Sequence, residues 1–131
     1  MRIWRFALAC AIALSLAGSA TAQNIQPYVH AITVGTSSIQ VIASNQARKQ
    51  LVFHNPNDQI RIAVCPLGPS RSAGATVTAA INGAGCITIL PYDRVTVSSG
   101  SPPGSPQAVE GVAWVGIASS GGAALTILEW E

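Results

Sequence analysis

The strongest constraint on how this chain folds is a rhythm. From residue 23 onward, short runs rich in Val, Ile and Thr are cut every few residues by Gly, Pro, Asn or Ser, and no stretch keeps a helical period for three turns. The chain therefore reads as all-β, with candidate strands at 31–34, 38–43, 49–55, 59–65, 76–81, 86–90, 94–98, 112–118 and 123–130. The clearest is 49–55, where Leu51 and Phe53 face one way and Val52 and His54 the other; strong β-formers on both faces mark an inner strand. Nine short strands on a chain of this size most economically make two antiparallel sheets packed face to face, a jelly-roll-like β-sandwich, with a closed barrel as the alternative.

The punctuation between strands has its own chemistry. In Asn55-Pro56-Asn57-Asp58, Pro fixes its own φ and biases Asn55 toward extended geometry, while Asn57 and Asp58 tolerate tight turns, so this segment predicts a hairpin. Gly121-Gly122 predicts a second one, between 112–118 and 123–130. Segments 67–74 and 100–106 are too rich in Gly, Pro and Ser to hold a ladder and read as surface loops. Their candidate contact residues are Pro69, Ser70 and Arg71 in the first, and Pro102, Pro103 and Ser105 in the second.

Residues 1–22 stand apart. Arg2 and Arg5 lead an apolar run from Phe6 to Ala17, broken by Ser15, and the small residues of Ala20-Thr21-Ala22 close it. This is the pattern of a secretory signal peptide cleaved before Gln23, which leaves a single β-sandwich domain at 23–131. The uninterrupted apolar core is shorter than the roughly 20 residues a membrane span requires. Cys10 lies too early for lipid attachment, because most of the apolar region follows it. The expected location is secreted or periplasmic.

Removing the leader also changes the charge. The whole chain has seven Lys and Arg against five Asp and Glu. Without Arg2 and Arg5, the cations Arg48, Lys49, Arg61, Arg71 and Arg94 balance Asp58, Asp93, Glu110, Glu129 and Glu131. No polybasic stripe remains to engage phosphate backbones, which argues against a nucleic-acid partner. Zero net charge also weakens repulsion between copies and permits self-association.

An oxidising compartment gives Cys65 and Cys86 a role, as a disulfide closing a loop of about this length contributes on the order of 3 kcal/mol. A metal site lacks ligands: His30 and His54 are the only histidines, and neither lies at a short spacing from a cysteine. No catalytic or cofactor motif is present. Asp58 and Asp93 read as turn residues whose carboxylates bond nearby backbone. Among the aromatics, Trp114 reads as core, and Trp130 either packs the last strand or anchors a neighbouring subunit.

The run Asn45-Gln46-Ala47-Arg48-Lys49-Gln50-Leu51-Val52-Phe53-His54-Asn55, followed by Ile60-Arg61-Ile62-Ala63-Val64 and closing on Trp114-Val115-Gly116-Ile117 and Leu125-Thr126-Ile127-Leu128-Glu129-Trp130, resembles small β-sandwich proteins of tailed-bacteriophage virions and prophages. Head-decoration and fibre-like modules are among them. The resemblance covers about residues 38–131. It implies a structural rather than catalytic role, an Asn45 that bonds backbone as the chain turns into the strand, and an Arg48 at the strand's edge. Such proteins show a Pro-Gly turn after their Leu, where this chain has Leu90-Pro91-Tyr92-Asp93. The leader and the cysteine pair are further departures, and together they favour an exported bacterial relative sharing the fold. The function expected is that of a non-enzymatic exported structural or interaction protein, presenting its loops to a protein partner or to other copies. The alternatives are a surface adhesin or pilin-like subunit whose final strand, with Trp130, completes another subunit's sheet, and, further off, a periplasmic hydrolase.

Overall fold

Alternation along each strand decides which side is buried. In the last strand Ala123, Leu125 and Ile127 are buried while Ala124, Thr126 and Leu128 face outward, the period-2 pattern of a sheet with one face against a core. The computed structural model describes residues 26–67, 77–98 and 111–131. It contains eight strands: β1 Tyr28–Val34, β2 Ile39–Ile42, β3 Gln50–His54, β4 Ile62–Pro66, β5 Ile87–Ile89, β6 Arg94–Ser98, β7 Trp114–Ala118 and β8 Ala123–Trp130. They form two four-stranded antiparallel sheets, ordered β1-β8-β3-β6 and β2-β7-β4-β5.

First pairs with last, second with seventh, third with sixth and fourth with fifth. A chain doubled back on itself as a ribbon and then wound into a sandwich has this pairing, which is the jelly roll. The expected β-sandwich is thus observed. As expected, β3 is an inner strand, held between β8 and β6, and its Leu51 and Phe53 are fully buried. Phe53 from one sheet meets Trp114 from the other with ring centroids 5.0 Å apart and planes tilted by 52°, so the expected core role of Trp114 holds.

Both predicted hairpins are corrected. The Asn55–Asp58 turn joins β3 to β4, and Gly121-Gly122 joins β7 to β8, but in each case the two strands belong to opposite sheets. These turns are arches that carry the chain over the edge of the core. The physical reason is competition for partners. β3 is already paired on both sides by β6 and β8, and β7 by β2 and β4, so the strand that follows each turn has to leave the sheet.

The candidate strand at 76–81 is also corrected: residues 77–81 form none. Their backbone is used differently, with Ala79 N–H donating to Ser38 Oγ (3.0 Å), and Gly83 and Cys86 N–H closing two consecutive turns on Ala80 and Gly83 carbonyls. Ala79, Val77 and Cys86 pack with Cys65, Val115 and Ile117 in a second apolar cluster. The Cys65–Cys86 disulfide is formed and ties this covering segment to β4. The candidate contact residues Pro69, Ser70, Arg71, Pro102, Pro103 and Ser105, together with the segment 1–22 expected to be a leader, lie outside the described residues. No helix long and apolar enough to cross a membrane occurs among the described residues.

Candidate functional site

Glu129 continues the inward-facing series of β8 after Leu125 and Ile127, so the alternation that builds the core also drives a carboxylate into it. It is 5% exposed. A carboxylate there requires donors, and the chain supplies three. Arg48 Nε–H donates to Oε1 at 2.7 Å, Asn45 Nδ2–H donates to the same oxygen at 2.9 Å, and His30 Nε2–H donates to Oε2 at 2.8 Å. Burial, the largest single influence on this carboxyl, pushes its pKa up. The hydrogen bonds from Arg48, Asn45 and His30, with the charge of Arg48, outweigh it and hold the group below its ordinary value of 4.5.

Arg48, expected at the strand's edge, lies just before β3 and is buried too. Its Nη1 donates to the Val112 carbonyl (3.1 Å) and its Nη2 to the Ala43 carbonyl (2.8 Å). One guanidinium therefore holds β8 of one sheet to the segments flanking β2 and β7 of the other. Asn45 behaves as expected, its Oδ1 accepting from Ala47 N–H at 3.0 Å as the chain turns toward β3, and its amide also reaches Glu131 at 2.6 Å. Above this cluster lies an open recess of about 440 Å³, where the polar groups of His30, Asn45, Arg48 and Glu129 meet an apolar wall of Val41, Ile42 and Ala43.

A second polar node closes the opposite end of β3. Asn55 is fully buried, and its Nδ2 lies within 2.7–3.1 Å of the Ile60, Ile89 and Leu90 carbonyls. Its Oδ1 accepts from Asn57 N–H and Nδ2–H. Asn57 then pairs with Ala124 through two bonds, accepting from its N–H and donating to its carbonyl. Asp93 takes the turn role expected of it, with Arg94 N–H donating to its Oδ1 at 2.8 Å. Trp130 sits half-buried at the end of β8, a strand paired on both sides within its own chain by β1 and β3.

The sequence reading missed the joining of His30, Asn45, Arg48 and Glu129. One signal was available in Leu125-Thr126-Ile127-Leu128-Glu129, where a charge occupies a core position of an alternating strand. Among the described residues, no group of three or more His, Cys, Asp or Glu could hold a metal ion. Three donors of its own chain converge on the carboxylate, and the guanidinium reaches across to the other sheet. No family model, curated protein or solved structure matches this chain.

Proposed function

We propose that this chain is a non-enzymatic structural or interaction protein that works outside the cytosol, in the periplasm or beyond the cell. The observation that carries the reading is that the groups of its most developed polar site are bonded to one another and to its own backbone. Glu129 accepts from Arg48, Asn45 and His30, and Arg48 also donates to two carbonyls of the opposite sheet. Groups held this way stabilise a shape. A jelly roll closed at both ends by polar nodes and tied by a disulfide is a rigid body suited to presenting surface. The run 45–55 resembles modules that decorate larger assemblies, and this reading gives the protein the same kind of work.

The test is fractionation of the native source. Expected is a product beginning at Gln23, recovered outside the cytosol, with Cys65 and Cys86 unreactive to thiol reagents until reduced and with the protein in a species larger than its monomer. An intact leader on a cytosolic product with free thiols would overturn the reading.

A further inference from the structure

Each sheet of a sandwich ends in strands whose outer N–H and C=O groups lack a ladder, and proteins guard such edges by keeping them short, bulged or charged. Three of the four edges here are guarded in these ways. β5 has three residues, β2 has four with a register shift between Gln40 and Ile42, and β6 has five and begins at an exposed Arg94. β1 has none of these devices. Its seven residues include no Lys, Arg, Asp, Glu, Pro or Gly, its register with β8 is regular from end to end, and among the described residues β8 is its one ladder partner.

The side chains along this edge are open as well. Val34, Ile32, His30 and Tyr28 share the inward face with Leu125 and Ile127 of β8, yet exposure rises along them from a fully buried Val34 to Tyr28 at 59%. On the outward face Val29 is 64% exposed, and Ala31 and Thr33 are exposed too.

A row of free backbone donors and acceptors is satisfied by an extended strand, and this sets the chemistry of the occupant. The strand that fits is β1 itself. Laid antiparallel about a two-fold axis through Ala31, it keeps all seven residues paired, with Tyr28 beside Val34 of the second copy, Val29 beside Thr33, His30 beside Ile32, and Ala31 beside its own counterpart. The exposed Tyr28 and Val29 then each meet a β-branched residue, and no Lys, Arg, Asp or Glu faces its like. The smallest side chain of the strand sits on the axis, where identical residues come closest.

The area is also sufficient. β2 edges the other sheet on the same side of the sandwich, with Ile39 37% exposed, so the contact runs through both layers. An edge about 24 Å long and about 20 Å deep buries roughly 1,000 Å² over two copies. That lies at the lower limit for a specific interface, so the association is reversible and depends on concentration.

We infer that two copies of this chain join edge to edge through β1, so that their β1-β8-β3-β6 sheets run on as one. The contact is isologous and occupies the free edge of both copies, so it closes at the dimer. The inference rests on the structural role proposed above and names the partner: a second copy.

The test uses the full, oxidised, leader-processed protein in sedimentation velocity from micromolar to near-millimolar concentration. Wild type is expected to pass from monomer to dimer and no further. Ala31 is exposed and opposes itself across the axis, so Ala31→Lys and Ala31→Glu should each associate at least about tenfold more weakly, while melting with the parent at dilutions where all are monomers. Mixed in equal amounts, the two variants should recover dimers, because Lys then faces Glu. A wild type that is monomeric throughout, whether β1 takes a strand of another protein or nothing, overturns the inference. So do parental dimers from either charged variant, a mixture that stays monomeric, or wild-type species beyond the dimer. None of these results changes where the processed product is found or the state of its thiols, so the fractionation test of the structural role stays separate.

Discussion

Replacing Arg48 with Met keeps an unbranched apolar stem and removes the guanidinium with its donors. The bonds lost include a charged one to Glu129 in the same sheet and two that cross to the other, to the carbonyls of Ala43 and Val112. Counting about 2 kcal/mol for the charged bond and about 1 for each neutral one gives roughly 4 kcal/mol. That agrees with the roughly 3–5 kcal/mol expected when one partner of a buried ion pair is removed. If the expected leader is removed, leaving roughly 110 residues, this lowers the melting temperature by about 17 °C. Calorimetry or circular dichroism of the oxidised protein near neutral pH reads it directly.

The double variant Arg48→Met with Glu129→Leu separates attraction from desolvation. Two apolar groups leave no buried charge, so the pair together should cost less than Arg48→Met alone. The pH dependence gives an independent reading. The folded Glu129 pKa lies below its ordinary value of 4.5, so its contribution to stability is complete above that value and is lost as pH falls through the folded one. Arg48→Met should flatten this acid limb. A single-variant cost below about 1 kcal/mol, or a double cost equal to the sum of the two singles, would refute the assignment of Arg48 as the tie between the sheets.

Cys65→Ser and Cys86→Ser should each cost on the order of 3 kcal/mol in oxidising buffer, with the double variant no worse than either; equal melting of variants and parent would remove the disulfide from the account. At the opposite pole, Asn55→Asp should be more damaging than Asn55→Ala, because a carboxylate would face the three carbonyls that now accept from Nδ2. Acidification should partly restore Asn55→Asp, and urea titrations at two pH values decide the matter. In β7, Gly116→Ala brings its new methyl to 2.8 Å from Val41 Cγ1 and should cost about 1–3 kcal/mol, whereas Gly35→Ala, with nothing within 4 Å, should melt with the parent.

The period-2 pattern made the strands and core legible in the sequence, because it is a local property: Leu51 and Phe53, or Leu125 and Ile127, declare their face without reference to a partner. The turns declared less. Asn55-Pro56-Asn57 has the same chemistry whether the next strand returns beside the last or crosses to the other sheet, and that choice depends on which strands already flank β3. The site was hidden for a related reason. Glu129 meets Arg48 across 81 positions and His30 across 99, separations at which spacing carries no signal. Only the misplaced charge on β8 hinted that partners had to exist.

The two polar nodes answer a problem created by the winding itself. Between the eight strands of the described residues, six of the seven successive pairs lie in opposite sheets, and an arch, unlike a hairpin, has no adjacent ladder to absorb the backbone groups it exposes at the rim of the core. Those groups still need partners. At one pole Arg48 takes the Ala43 and Val112 carbonyls, beside the β2–β3 connection and the approach to β7. At the other Asn55 takes Ile60, Ile89 and Leu90, where the β3–β4 and β5–β6 arches meet. Both side chains flank β3, so one strand with a polar residue near each end spans the sandwich from pole to pole.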